Sequence, residues 1–197
     1  MFDFSIGWAG RLIGFLCSKS VEYVGTDVNT QNYYCYSDLL STYGFQDKKI
    51  YLFKQPAEKF LLNPKEYYNL ETKEFEKINI DFSNYFDLCF SSPPYFNKEK
   101  YSNDIEQSYL QYPTYSAWLE GFLFPLIETL FFITKPNGYI TIVIASILDN
   151  KGNCYDIVSD LKSTYIPFDE WRMKLPRFFG ATRKNKNRYE FVLVYKK

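Results

Sequence analysis

One short motif in the sequence combines groups that could perform chemistry: Ser92-Pro93-Pro94-Tyr95, directly after the apolar run 86–91. The prolines stiffen the chain and lack N–H donors, so their carbonyl oxygens remain as hydrogen-bond acceptors. The Ser92 hydroxyl is a further acceptor, and the Tyr95 ring offers a flat face for stacking. These groups suit a planar ring with an exocyclic amine, which would donate to the acceptors while the ring lies on Tyr95.

A second candidate site is the segment from Asp3 to Gly10, which leaves a strand-like start and enters a helical pattern. Gly7 and Gly10 would let the backbone approach a ligand closely. Free N–H groups at the start of a helix favour a carboxylate or a phosphate. The alternative is a strand-to-helix turn that binds nothing.

Asp27 ends the next strand-like run, 21–26. An acid at this point of a nucleoside-binding βαβ unit, roughly 20 residues after the first strand, accepts hydrogen bonds from both ribose hydroxyls. The alternative is a helix cap, because Asp27 and Asn29 precede a helical pattern. Together with the glycine loop, Asp27 predicts ribose binding.

Composition excludes several kinds of site. Histidine is absent, which removes Ser-His and Cys-His catalysis and the commonest zinc ligand. The four cysteines lack the spacing of metal ligands or a redox pair, so they are interpreted as free thiols and no metal is expected. Neither a membrane-spanning apolar run nor a signal-peptide pattern is present, which predicts a cytosolic protein with no membrane partner.

Charge is distributed unevenly, although the formal net charge is zero. Between Trp171 and Lys197, nine basic residues accompany a single acid, Glu190. This stretch indicates a surface that faces a polyanion, with a solvated basic edge as the alternative. The 19 tyrosines and 19 phenylalanines indicate either stacking on bases or sugars, or a biased codon pool.

Apolar stretches alternate with amphipathic ones, which predicts one α/β domain with a mostly parallel sheet. Residues 63–84 are expected to form a surface excursion such as a hairpin, and 97–113 a functional loop. The expected strands are 1–5, 21–26, 49–53, 86–91, 139–145, 165–173 and 191–195. The expected helices are 10–20, 29–43, 57–62, 114–134 and 155–162.

A glycine loop after the first strand, an acid after the second and Ser-Pro-Pro-Tyr after the fourth resemble the amino-methylating DNA methyltransferases that use S-adenosylmethionine. The phrase Gly-Trp-Ala-Gly-Arg-Leu at 7–12 is similar to phage and bacterial members, some of which serve restriction-modification. The resemblance implies a Rossmann-like class I methyltransferase fold over residues 1–197, with an antiparallel C-terminal strand.

The resemblance also implies roles for individual residues. The target base would be held by Ser92, Pro93 and Tyr95. The cofactor would be held by Asp3, Ser5, Gly7 and Gly10 at its methionine half, by Asp27 at its ribose, and by Glu58 near its adenine ring. DNA contacts would come from the substrate-facing loop 97–115 and from the basic region 171–190, in particular Arg177, Arg183, Lys184, Lys186 and Arg188.

The implied activity is methyl transfer to the exocyclic amine of a flipped DNA base. Cytosine-N4 is favoured over adenine-N6, because Ser92 occupies the first motif position, where adenine-specific members more often carry Asp or Asn. Relative to that family the sequence lacks an upstream helix and loop. One alternative is therefore a non-catalytic nucleic-acid-binding or partner subunit, or an enzyme that a second subunit completes. Another is a methyltransferase for an RNA base or a protein amide.

Overall fold

The computed structural model describes residues 1–44, 47–61, 65–148, 152–174 and 189–197. Its strands are β1 (Phe2–Asp3), β2 (Glu22–Asp27), β3 (Lys49–Lys54), β4 (Lys65–Tyr68), β5 (Phe75–Ile78), β6 (Phe86–Ser91), β7 (Thr134–Ile144), β8 (Ile147–Leu148), β9 (Cys154–Tyr155), β10 (Asp169–Lys174) and β11 (Tyr189–Lys196). Within these ranges nine strands form one sheet, in the order β10-β11-β7-β6-β1-β2-β3-β4-β5, and β8 pairs with β9.

The centre of the sheet is parallel and its margins are antiparallel. Strands β3, β2, β1, β6 and β7 pair in parallel. The β4–β5 hairpin extends one side and β11 with β10 extends the other, all antiparallel. Strand order reverses at β1, which lies between β2 and β6, and open α/β sheets bind ligands beyond the carboxyl ends of the strands at such a reversal.

The helices are α1 (Gly10–Leu16), α2 (Gln31–Tyr43), α3 (Ser108–Gln111), α4 (Tyr115–Trp118), α5 (Phe124–Ile133) and α6 (Ile157–Thr164). A 3₁₀ turn spans Ala57–Lys59, and a π-helical turn, Leu119–Leu123, joins α4 to α5. The continuous helical run Tyr115–Ile133 is long and apolar enough to cross a membrane by length and composition. Its fully buried residues instead form part of the main hydrophobic core: Trp118, Leu123, Leu126, Ile127, Leu130 and Ile133.

Two hydrophobic clusters lie on opposite faces of the sheet. Successive residues of a strand point to opposite faces, so Tyr23 packs with α1 and α2, while Val24 packs with α5. Leu52 and Phe53 divide in the same way. The sheet is therefore covered on both faces, as its parallel centre requires.

The predicted fold class is confirmed, and so are most elements. The expected 63–84 hairpin is present as β4 and β5, but it extends the sheet through β3. Helix α1 ends at Leu16, four residues before its expected end. Strand β7 begins at Thr134, five residues before the expected strand 139–145, and its pairing with β6 shifts register between Thr134 and Tyr139.

Candidate functional site

A cavity of about 350 Å³ opens at the carboxyl ends of β1, β2, β3 and β6. Its volume lies in the range of small-molecule pockets, roughly 300–1,000 Å³. Each of these strands contributes the residues that follow it to the wall. Six predicted site residues line this cavity: Ser5, Gly7, Gly10, Asp27, Glu58 and Ser92.

The buried Asp3 carboxylate binds the loop after β1 through hydrogen bonds. It accepts hydrogen bonds from the Ser5 backbone N–H at 3.1 Å, the Arg11 Nε at 2.9 Å and the Tyr23 hydroxyl at 2.7 Å. Arg11 also donates to the Ser5 carbonyl. Asp3 is fully buried and lies outside the cavity wall, so it fixes the shape of the loop.

The glycine loop itself forms part of the wall. Gly7 has φ +57°, a conformation that side-chain-bearing residues rarely adopt, and its carbonyl accepts the Tyr36 hydroxyl at 2.6 Å. A Cβ at Gly10, the first residue of α1, would have no atom within 4 Å. The loop therefore leaves room at Gly10 for a ligand to approach the backbone.

Asp27 joins the loops after β1 and β2. One carboxylate oxygen accepts the Gly7 N–H at 2.9 Å, and the other accepts the Asn29 N–H at 2.9 Å. Burial raises the pKa of Asp27 and these two amides partly offset that rise. The N-cap of α2 is Thr30, so Asp27 is not the cap of that helix.

Glu58, in the 3₁₀ turn after β3, has one buried carboxylate oxygen that accepts no hydrogen bond. Its Oε1 accepts the Tyr112 hydroxyl at 3.1 Å, whereas Oε2 is buried without a hydrogen-bond partner. Burial raises the pKa of Glu58 to about 7, against the lowering effect of Tyr112. An amine in the cavity would satisfy the unpaired oxygen.

The Ser-Pro-Pro-Tyr motif follows β6, and only part of it lines the cavity. Ser92 and Pro94 do so, whereas Pro93 is buried and the Tyr95 side chain is 7% exposed and outside the wall. The Ser92 hydroxyl donates to Tyr95 Oη at 3.1 Å, and Tyr95 Oη lies 3.2 Å from Glu190 Oε1. The stacking face expected of Tyr95 is therefore not in the wall, because hydrogen bonds and burial hold its ring behind Ser92.

The charged side chains among the described residues of the wall are mostly acidic. The wall contains the carboxyl groups of Asp27, Glu58, Glu99 and Glu106, and its one cationic side chain is Arg11. Arg11 is already paired with the buried Asp3. The cavity therefore favours a ligand that carries positive charge.

No protein-family model and no curated protein matches the sequence. Among solved structures, the chain is similar to 1,6-didemethyltoxoflavin-N1-methyltransferase of Burkholderia thailandensis, which holds S-adenosylhomocysteine; the TM-score is 0.52 and the identity 12%, over 100% of this chain and 69% of that one. The chain is also similar to an rRNA methylase of Streptococcus thermophilus, with a TM-score of 0.51 and 14% identity over 99% of this chain and 86% of that one. A third similar structure is the methyltransferase SMU.1697c of Streptococcus mutans, solved with S-adenosylhomocysteine. Its TM-score is 0.51 and its identity 11%, over 100% of this chain and 87% of that one.

The chain has the class I methyltransferase fold. Its mostly parallel sheet, with helices on both faces, matches these methyltransferase neighbours at the level of the fold. At these identities the similarity concerns the fold. The cavity lies at the strand reversal where that fold binds its ligands.

Sequence reasoning missed several residues of the methyltransferase-fold cavity. Glu99, Tyr101, Glu106, Gln107 and Ser108, all from the expected loop 97–115, line the wall. Glu99 accepts the Tyr95 backbone N–H at 3.2 Å, and burial raises the pKa of Tyr101. The length and polar composition of this segment were the available signal. Trp8, 83% exposed, also lines the wall.

The proposed basic DNA contacts, Arg177, Arg183, Lys184, Lys186 and Arg188, lie outside the described residues. Of the rest of that region, β10 and the start of β11 are described. Among the described residues, no group of three or more His, Cys, Asp or Glu side chains is placed to hold a metal ion.

Proposed function

We propose that the chain transfers a methyl group from S-adenosylmethionine to the exocyclic amine of a nucleic-acid base, with cytosine-N4 in DNA as the first candidate. One observation carries this proposal: Ser92 shares a single cavity with Gly7, Asp27 and Glu58 at the strand reversal. The residues that we assign to a nucleoside cofactor and the hydroxyl that we assign to the amine therefore line the same cavity. The preference for cytosine rests on serine at the first motif position.

The residues present fit the cofactor. Ser5, Gly7 and Gly10 would lie along its methionine half, Asp27 would accept its ribose hydroxyls, and the unpaired Oε2 of Glu58 would accept its adenine amine. The acidic wall suits its positive charge. When bound, S-adenosylmethionine supplies the methyl group: its C–S bond breaks with the electron pair left on sulfur, while the lone pair of the acceptor nitrogen forms the new C–N bond.

We call the part of the cavity at Ser5, Gly7, Gly10, Asp27 and Glu58 the cofactor half, and the part at Ser92 the acceptor half. The acceptor half would position the amine. The Ser92 hydroxyl donates its hydrogen to Tyr95, so the lone pairs of Ser92 Oγ remain available to an amine N–H. Such a hydrogen bond would orient the amine nitrogen within the cavity. A paired base would first have to leave its helix, at a cost of a few kcal/mol. Catalysis would then consist of positioning and electrostatic stabilisation.

The direct test is to incubate the wild-type chain with labelled S-adenosylmethionine and to digest the acceptor for mass spectrometry of methylated nucleosides. Unmodified duplex DNA, single-stranded DNA, ribosomal RNA and a protein extract are the acceptors, and Ser92→Ala is the control. N4-methylcytosine in DNA is the expected product. N6-methyladenine alone would overturn the cytosine assignment, and transfer to no acceptor would overturn the proposed function.

A second candidate is transfer to an RNA base, favoured by the similarity to an rRNA methylase. Methyl label confined to the ribosomal RNA would select it. A non-catalytic nucleic-acid-binding subunit is distinguished by calorimetry. It would bind nucleic acid and release no heat with S-adenosylmethionine.

A further inference from the structure

Glu190 is the single acid in the basic stretch 171–197, and its charge has no use in a surface for a polyanion. It lies near the start of β11, where it pairs across the sheet with Met173. Its side chain is half-buried and reaches Tyr95, 95 residues earlier in the sequence, with 3.2 Å between Glu190 Oε1 and Tyr95 Oη. Among the described residues, this acid lies behind the cavity wall and contacts it only through Tyr95 and Ser92.

Three groups form a continuous series of hydrogen bonds from the cavity wall to Glu190. The Ser92 hydroxyl donates to Tyr95 Oη at 3.1 Å. The Tyr95 hydroxyl has one hydrogen, with Glu190 Oε1 at 3.2 Å and the Val143 carbonyl at 3.3 Å as acceptors. A carboxylate is the stronger acceptor of the two. The series therefore runs in one direction, from Ser92 through Tyr95 to Glu190.

We propose that Tyr95 and Glu190 are positioning residues that direct the Ser92 hydroxyl and remove the proton that the amine loses on methylation. The inference rests on the proposed function. Because Ser92 gives its hydrogen to Tyr95, its lone pairs face the cavity. Tyr95 thus acts through its hydroxyl, which agrees with the burial of its ring.

The proton balance closes without a further reactant. The acceptor nitrogen becomes positively charged when the C–N bond forms, and it loses one proton to Ser92 Oγ. The hydrogen of Ser92 passes to Tyr95 Oη, and the hydrogen of Tyr95 passes to the Glu190 carboxylate. Ser92 and Tyr95 end unchanged and Glu190 ends as a carboxylic acid. Since Glu190 is half-buried, it can return the proton to water.

Single-turnover methyl transfer at saturating cofactor tests this series. Tyr95→Phe and Glu190→Gln should each slow transfer by at least roughly tenfold, with cofactor affinity unchanged. Glu190→Asp should restore part of the rate. The double variant should be no slower than the slower single variant, because either change interrupts the same series. Glu66→Gln, an exposed acid on β4, is the matched control and should transfer at the wild-type rate.

Glu99 is the competing proton acceptor, since it lines the cavity and accepts the Tyr95 N–H. The proposal would be overturned if Glu99→Gln slowed methyl transfer while Glu190→Gln transferred at the wild-type rate. If the wild-type chain transfers a methyl group and Glu190→Gln does so at the same rate, the proposal is overturned as well. The proposed function would then remain intact. Thermal unfolding of each variant shows whether a slow variant is misfolded. If Glu190→Gln is misfolded, the methyl-transfer rates of Glu190→Asp and Tyr95→Phe decide whether the proposal holds.

The hydrogen bonds can also be tested without activity, by NMR of protein labelled with ¹³Cζ-tyrosine. The resonance that Tyr95→Phe removes belongs to Tyr95. It should move in Ser92→Ala and in Glu190→Gln, and stay in place in Glu66→Gln. An unmoved resonance in Glu190→Gln would overturn the series even if the wild-type chain transfers a methyl group to no acceptor tested.

Discussion

The two halves of the cavity are held in different ways. In the cofactor half, the carboxylates of Asp3 and Asp27 accept backbone N–H groups of the loops that they shape. In the acceptor half, Ser92 is supported by the side chain of Tyr95 in the same motif and, through Tyr95, by Glu190 from a distant part of the chain. The first half is fixed by the path of its own backbone, and the second depends on strands that close the sheet.

This difference predicts that the two halves fail separately. Loss of an acceptor-half side chain should reduce methyl transfer and leave cofactor binding intact. Loss of a cofactor-half carboxylate should disturb the loops and the affinity first. Four substitutions, taken in order of expected effect, examine that separation.

Ser92→Ala should have the largest effect on transfer. It removes the hydroxyl that faces the amine, and loss of one such preorganised polar group typically costs roughly 100-fold or more. Cofactor affinity measured by calorimetry should stay at the wild-type value. Ser116→Ala, at an exposed position on α4, is the control. Equal loss of transfer and of cofactor affinity would show that the halves are not separate.

Asp3→Asn should have the largest effect on stability. The Asp3 carboxylate is fully buried and accepts hydrogen bonds from Arg11 and Tyr23, so its neutral replacement leaves Arg11 without its partner. Because the Arg11 side chain is 26% exposed, breaking this ion pair should cost less than the roughly 3–5 kcal/mol of a fully buried pair, to be measured by urea unfolding. The exposed Asp38→Asn on α2 should change the free energy of unfolding by less than about 0.5 kcal/mol. Matching values for the two variants would contradict the role of Asp3.

Asp27→Asn should weaken cofactor binding roughly tenfold, because a hydrogen bond to a charged group is worth about 1.5–3 kcal/mol. The new amide would also point one NH₂ group towards the N–H of Gly7 or Asn29. Calorimetry gives the affinity, and single-turnover transfer at saturating cofactor should remain close to wild type. A slow chemical step at full saturation would place Asp27 in the acceptor half instead.

Glu58→Gln should act on the pH dependence of stability. In the folded chain burial raises the pKa of Glu58 from 4.5 to about 7, so the folded state holds its proton more tightly than the unfolded state. The stabilisation is fully present below pH 4.5 and is lost as the pH rises through about 7. Wild type should therefore lose stability relative to Glu58→Gln by at most about 1.4 kcal/mol per pH unit in that window. Parallel stability profiles from unfolding at pH 5 and pH 8 would contradict this.

Five of the six residues assigned to the cofactor line the cavity, whereas only one of the three assigned to the target base does, and the geometry explains why. Asp27 reaches Gly7 across neighbouring strands, and the turn at Gly7 is encoded by glycine itself. Residue type and spacing suffice for such contacts. The same pattern also predicted the parallel sheet, since each strand is a compact apolar run.

The contacts of Tyr95 could not be predicted in that way. Its ring direction depends on Val143 and Glu190, which are 48 and 95 residues away, and on the register of β7 and β11. A motif predicted an exposed stacking face, whereas packing buried the ring. The isolated acid in a basic stretch was visible, but nothing local indicated its partner. Arg11 was likewise visible in its motif without its link to Asp3.

The long reach of Tyr95 also sets an order in time. Every residue assigned to the cofactor half precedes Glu190 by at least 132 positions in the sequence. At roughly 5–20 residues per second, Glu190 is added on the order of 10 s after Glu58 during synthesis. The ribosome thus adds the residues of the cofactor loops well before it adds the proposed proton acceptor of Tyr95. A nascent chain that held a methyl donor would lack the means to use it until the strand that carries Glu190 had been made.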